Sequence, residues 1–248
     1  MLVHERMTAN PIVIHPMTSY SDALGLMHEK KIRRLPVVDQ DGYLVGMVTE
    51  KDLLYASPSP ATSLSRHEIG YLLSEMPVEE VMTRQVITVQ EECPLEEAAR
   101  IMVDHKIGGL PVMSGRQLVG LITETDIFRV MMEALGGRSE GLRITINVQE
   151  DNGELGAITD GIIQLGGKLI SLSTFWGSES HHRMLTLKVQ GVNPEELVQM
   201  LENFIGVQVI DSRENPKFQP EVIFLAGKMG VSQILDLKTD NHWFLGSK

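Results

Sequence analysis

The ten residues Leu44–Leu53, LVGMVTEKDL, return as Leu118–Ile127, LVGLITETDI, with Asp52 and Asp126 set 74 positions apart. An internal repeat of this length constrains a fold more than any local propensity, because each copy must form the same supersecondary unit and hide the same face. The agreement continues upstream. Met7 aligns with Met82, Ala23 with Ala98, Met27 with Met102, Ile32 with Ile107, and Leu35-Pro36-Val37 with Leu110-Pro111-Val112, all at an offset of 75. One residue is therefore lost between Val38 and Leu118.

Each copy reads as β-α-β-β-α. A short β-rich stretch (Ile12–Ile14; Val86–Val89) precedes a helix whose apolar residues fall at helical spacing: Tyr20, Ala23, Leu24, Met27, then Leu95, Ala98, Ala99, Met102. Pro94 suits the first helical turn, where a missing N–H costs nothing. Two apolar runs follow, LPVVD and YLVGMVT, separated by the turn signal Gln40-Asp41-Gly42. A second helix begins at Thr-x-x-Asp. Neither unit is large enough to bury both faces of its small sheet, so the two are expected to pack together.

Between the copies, residues 57–65 are rich in Ser and Pro and read as a connector, and Ile69, Leu72, Leu73 and Met76 resume helical spacing. After GGRSEG a third region runs strand (RITINV), helix (GELGAITDGIIQLGG), two strands (KLISLSTFW, RMLTLKVQG), helix (NPEELVQMLENF, capped by Asn193 before Pro194) and strand (VQVIDS). That β-α-β-β-α-β order is the split, ferredoxin-like arrangement. The expected division is 1–56 first repeat, 57–79 connector and linker helix, 80–136 second repeat, 142–214 third unit and 215–248 extension. EVIFLAG in the extension is apolar enough to pack on something.

Bulk properties narrow the function classes. With 42% apolar and 22% charged residues, the chain has the composition of a globular protein. A formal charge of −11 argues against a nucleic-acid binder relying on its overall field, and no helix-turn-helix is recognisable. A lone cysteine, Cys93, fits a reducing compartment. No secretory signal and no apolar run of about 20 residues appears, so a cytoplasmic location is expected.

Thr-x-x-Asp has a structural meaning and a functional one. As a capping box, the hydroxyl accepts the amide of the third helical residue and the acid returns to the cap's own N–H. Asp is one methylene shorter than the preferred Glu or Gln, so it is expected to close that box less well. Two helix N-termini at equivalent places also suit phosphate, and a carboxylate there suits a ribose diol. KKIRRLPV adds four basic residues in five. Lys30 and Lys31 complement a helix C-terminus. Arg33 and Arg34 lie past it, where guanidinium forks meet phosphate oxygens. The second copy has Gly108 and Gly109 in that slot, so the two sites are expected to be unequal, with at most one strong nucleotide site per chain.

Tandem units carrying MT, I-x-x-LPV and G-h-h-T-x-x-D resemble cystathionine-β-synthase (CBS) domains, and two together are similar to a CBS pair, or Bateman module. The resemblance covers Met7–Leu54 and Met82–Met131. It implies a mixed α/β (α+β) pair with two clefts for adenine nucleotides (AMP, ADP, ATP) or a related adenosyl ligand. The family's Thr and Asp contact phosphate and ribose, which carries onto Thr49, Asp52, Thr123 and Asp126. Residues beside the first strand flank the base, here Ile12, Val13, Ile87 and Thr88. Which Asp shares a cleft with Arg33 and Arg34 stays open, because family clefts draw on both repeats.

The third region resembles an ACT domain, and the order CBS–CBS–ACT is similar to that of acetoin-utilisation regulatory proteins, which suggests acetoin or acetate metabolism. Asp151, Gly153 and Leu155 match the ACT turn signature, with Asn152 where Pro is common and Lys168 where Asn is common. This loop (Asp151, Asn152, Gly153, Leu155) is a candidate small-ligand site, and glycines at both turns also serve backbone geometry alone. His181-His182 reads as a hairpin loop without metal-ligand spacing. Cys93 has no paired base, and most methionines are packing, with Met131-Met132 suited to an adaptable interface. The expected protein is a non-catalytic sensor, homodimeric, with no obligatory cofactor, no metal, and no nucleic-acid or membrane partner, acting on a regulated enzyme. The rivals are a scaffold with empty clefts and a nucleotide-processing enzyme.

Overall fold

The repeat is visible as a reciprocal exchange of chain between two small sheets. A computed structural model of the protein describes residues 1–56, 66–149, 154–176 and 182–214. The first repeat comprises β1 (Thr8–Ala9), α1 (Tyr20–Lys30), β2 (Arg34–Val38), β3 (Leu44–Thr49) and α2 (Glu50–Ala56). The linker helix α3 (Arg66–Glu75) leads to the second repeat: β4 (Val89–Gln90), α4 (Leu95–His105), β5 (Gly109–Ser114), β6 (Gln117–Thr123) and α5 (Glu124–Ala134).

β1 does not join its own repeat. It pairs antiparallel with β6, Thr8 opposite Leu121 and Ala9 opposite Gly120, while Thr83 pairs with Met47 of β3. The arms ahead of these bridges exchange as well. Val3 belongs to the core of the second repeat and its amide donates to the Cys93 carbonyl at 2.9 Å. Its counterpart Val78 belongs to the core of the first and donates to the Thr18 carbonyl at 2.9 Å. The strand glycines explain why the exchange fits. A Cβ on Gly46 would sit 2.5 Å from Met82 Sδ, and one on Gly120 would strike Met7 Sδ. Each aligned methionine thus seats on the other repeat's glycine, and this joins the two units into one body.

The anticipated β-rich stretches are shorter than expected: Ile14 makes a single parallel bridge to Val37, and β4 has two residues. The helical stripes hold, with Tyr20, Ala23 and Met27 buried on α1 and Leu95, Ala98 and Met102 on α4. Each fully buried aliphatic side chain of this kind contributes roughly 1.5–3 kcal/mol. The lost residue lies in the turn. In the first copy Asp39 Oδ1 accepts from the amides of Asp41 and Tyr43, with Gly42 at φ +84°, whereas the second closes on Gly115 at φ +61°.

The third unit comprises β7 (Leu142–Gln149), α6 (Glu154–Gln164), β8 (Lys168–Trp176), β9 (His182–Gln190), α7 (Pro194–Glu202) and β10 (Val207–Glu214), with strand order β10-β7-β9-β8. Asn193 Oδ1 caps α7 by accepting from the amides of Glu195 and Glu196 at 2.8 and 3.3 Å. One face of the sheet packs Ile144, Ile146, Leu185 and Leu187 against Ile158, Ile162, Leu197 and Leu201 of α6 and α7. The opposite face is polar, and the end of α5 rests on it. Lys188, 8% exposed, donates from Nζ to the Gly136 carbonyl at 2.9 Å. His182 opens β9, opposite Gln149, and is not part of a loop; the strand runs further toward its hairpin than the sequence suggested. His181, the loop residues Asp151, Asn152 and Gly153, and the 215–248 extension fall outside the described residues.

Candidate functional site

Both Thr-x-x-Asp motifs stand where a strand hands over to a helix, and in both the carboxylate folds back. Thr49 donates from its amide and its hydroxyl to Asp52 Oδ2 at 2.9 and 2.7 Å, and the Asp52 amide donates to Thr49 Oγ1 at 3.2 Å. Thr123 donates from amide and hydroxyl to Asp126 Oδ2 at 3.0 and 2.6 Å. The expectation that Asp closes the box poorly is therefore corrected. The hydroxyl proton bridges to the carboxylate and compensates for the missing methylene. One oxygen of each acid is consumed in this way. Asp126 Oδ1 accepts from Arg129 Nη1 at 3.1 Å, while Asp52 Oδ1 has no hydrogen-bond partner among the described residues.

Two cavities flank the seam between the repeats, of about 560 and 350 Å³, within the common range of small-ligand sites. The larger joins Thr49 and Asp52 of the first repeat to Ile87, Lys106 and Gly108-Gly109 of the second. The smaller joins Thr123 and Asp126 of the second repeat to Ile12 and Lys31 of the first. Each cleft thus combines the hydroxyl–acid pair of one repeat with the first segment of the other. Val13 is exposed, and neither it nor Thr88 lines a cleft. Leu155 lies on α6 and lines neither, and a groove of about 410 Å³ between α6 and α7 holds Glu196 as its one charged side chain among the described residues.

Arg33 and Arg34 line both cavities. The sequence left open which Asp shares their cleft, and the geometry brings them to both. Inequality of the clefts therefore does not arise from one of them lacking charge, as Gly108 and Gly109 had suggested. The glycine pair is the room that Arg34 occupies: a Cβ on Gly108 would stand 2.7 Å from Arg34 Nη2. Burial pushes the Arg34 guanidinium below its ordinary pKa, Glu124 opposes that shift, and neighbouring Arg33 adds to it. Among the described residues neither arginine makes a hydrogen bond or an ion pair.

Sequence reasoning missed Lys106, Glu124 and the cleft role of Lys31. Lys31 and Lys106 occupy equivalent left-handed caps, φ +54° and +55°, after α1 and α4. That conformation is uncommon for a non-glycine residue. The offset of 75 between the two lysines was a signal available in the sequence. Elsewhere, burial and Glu97 push the Cys93 thiol above its ordinary pKa, the state of an unreactive cysteine. Among the described residues no group of three His, Cys, Asp or Glu is placed to hold a metal, and no helix is long and apolar enough to cross a membrane.

A family model described as the CBS domain matches residues 3–59 and 78–133. A CBS domain-containing protein of Dictyostelium discoideum is 32% identical over 136 residues, covering 54% of this chain and 94% of that protein. Two longer proteins of Methanocaldococcus jannaschii match at 37% and 33% identity, and the chain spans 32% and 46% of their lengths. Among solved structures, a protein assigned to acetoin utilization (AcuB) from Vibrio cholerae is 34% identical, covering 56% of this chain and 95% of that one, with a TM-score of 0.47. The structure of CBSX2 in complex with AMP is 34% identical, covering 53% of this chain and 96% of that one, with a TM-score of 0.44.

Proposed function

Since the chain belongs to the CBS-domain family, we propose that its CBS pair is a non-catalytic sensor of an adenosyl ligand, an adenine nucleotide such as AMP, ADP or ATP in the first instance. The observation that carries this reading is the pair of guanidinium groups, Arg33 and Arg34, which make no hydrogen bond or ion pair among the described residues and face two clefts that each hold a hydroxyl–acid pair. In an acidic protein, a half-buried arginine that no carboxylate reaches at ion-pair distance is a seat for a phosphate. Phosphate would lie on the arginines, with Thr49 or Thr123 at its edge. A ribose hydroxyl would donate to Asp52 Oδ1 or, by displacing Arg129, to Asp126 Oδ1. Ile87 and Ile12 would flank the base in the larger and smaller cleft, with Thr88 and Val13 outside the first contacts.

The third unit is, in this reading, an ACT-type domain that responds to the pair; its β-α-β-β-α-β order and the contact of Lys188 with the end of α5 support it. Helix α5 starts at the smaller cleft and ends on the third unit, so a shift at Asp126 reaches Gly136 through a single rod. Such a switch needs a ligand that prefers one of two states. Phe128, Met131 and Met132 are exposed on α5 and suit homodimerisation. A link to acetoin or acetate metabolism, through a regulated enzyme, rests only on the order of the domains.

One observation favours a second reading. Both carboxylates are already engaged with their own caps, as a scaffold with permanently empty clefts would have them. Thermal unfolding with AMP, ADP, ATP and S-adenosylmethionine separates the two. A sensor gains about 2.7 kcal/mol at a ligand concentration 100 times Kd, and Asp52→Ala or Asp126→Ala reduces that gain. A scaffold shows no shift to lose. Steady release of phosphate from ATP would instead favour the enzyme.

A further inference from the structure

We propose that Arg34 is one phosphate-binding group held in common by two clefts, so that a phosphorylated ligand in either cleft weakens binding of a second in the other. The proposal rests on the adenosyl reading above and adds a regulatory property to it. Arg34 lines both cavities and crosses the seam over Gly108 and Gly109, the residues that stand at the repeat positions of Arg33 and Arg34. A side chain on either glycine would take the space: a Cβ on Gly108 stands 2.7 Å from Nη2, and one on Gly109 falls on Nη1. A symmetric pair would carry one such arginine per cleft; this chain carries one for both.

Two other features of the clefts are duplicated. Lys106 and Lys31 are equivalent caps, and the two Thr-x-x-Asp motifs are equivalent seats. Arg33, Arg34, Gly108 and Glu124 line both clefts, and of these Arg34 is the half-buried guanidinium at the seam. Its planar fork meets one phosphate face to face and cannot turn to a second without releasing the first. Two phosphates drawn toward the same seam also repel. Burial disfavours the charged form of Arg34, and Glu124 lies too far for an ion pair, so the group gains most from the first anion to arrive. Arg33 faces both clefts too, but it is exposed and its charge is screened by water.

The test is calorimetric titration of the full chain with AMP and, separately, with adenosine, which lacks the phosphate. For the wild-type chain the second AMP is expected to bind at least tenfold more weakly than the first, after correction for the ratio of the two adenosine sites. Arg34→Ala lowers the first AMP affinity and brings the AMP ratio to the adenosine ratio. Gly109→Ala keeps the charge but displaces the side chain from the seam, and is expected to narrow the ratio as well, with its melting temperature confirming a folded chain. Two AMP sites whose ratio matches that of adenosine in the wild type, or a wide AMP ratio that survives Arg34→Ala, overturns the shared arginine while leaving the sensor reading intact. Absence of heat with AMP, ADP, ATP and adenosine alike overturns the sensor reading and the shared site together.

Discussion

Gly46→Ala places a methyl group 2.5 Å from Met82 Sδ, 3.0 Å from its Cγ and 3.2 Å from the Thr83 carbonyl oxygen. Met82 is 8% exposed, and the Thr83 carbonyl is fixed by the Met47 amide at 3.0 Å, so neither neighbour yields easily. Overpacking of this kind costs about 1–3 kcal/mol. Replacing Gly by Ala at a compatible backbone angle returns about 0.4–1 kcal/mol through the unfolded chain. The single substitution should therefore destabilise by about 1–2 kcal/mol. Met82→Ala empties the seat and costs about 2–5 kcal/mol. In the double variant the clash is gone, and Gly46→Ala becomes neutral or slightly stabilising. The cycle should show a favourable coupling of about 1–3 kcal/mol, well above the scatter of independent sites. Urea unfolding followed by far-UV circular dichroism, with m-values checked for constancy, measures all four chains. Additivity within about 0.5 kcal/mol would refute the seating of Met82 on Gly46 and with it the exchange of arms between repeats.

Other consequences are open to simpler measurements. Asp52→Ala removes the box on Thr49 and is expected to cost about 1 kcal/mol of stability even without ligand, read as a lower urea midpoint. Lys188→Met leaves the Gly136 carbonyl without its donor. Hydrogen exchange should speed up around residues 131–137 and on β9 while the repeats keep their protection; unchanged exchange would show that α5 is not tied to the third unit there. Cys93, its thiol held above the ordinary pKa by burial and by Glu97, is protonated at pH 8 to a greater extent than a free thiol. Alkylation by iodoacetamide should be slow at that pH and rise with a midpoint above that of a cysteine peptide in the same buffer; a midpoint at or below the peptide's value would contradict this.

Much of the fold is legible in the sequence because periodicity over 11 residues carries real information. The stripes of α1 and α4 and the Asn193-Pro194 start of α7 appear where spacing and capping chemistry put them. The exchange of arms was not legible, since it rests on the two residues of β1 and on the single Met47–Thr83 bridge, and no alternation can be read from so few residues. The aligned Met7/Met82 and Gly120/Gly46 pairs held that information only once the sheets were known to cross. At the site, Thr49, Asp52, Thr123, Asp126, Arg33, Arg34, Ile12 and Ile87 come together at two clefts. The meaning of Gly108-Gly109 was read the wrong way round. Missing side chains looked like missing charge, whereas they are the space that Arg34 occupies where it lines both clefts.

The most direct measurement of the central claim is a crystal structure of the full chain soaked with AMP. Density is expected in one of the two seam clefts, with phosphate oxygens within hydrogen-bond distance of Arg34 and a ribose hydroxyl on Asp52 Oδ1 or Asp126 Oδ1. Density for the nucleotide in the α6–α7 groove, or both clefts empty at saturating AMP with Arg34 unmoved, would contradict it.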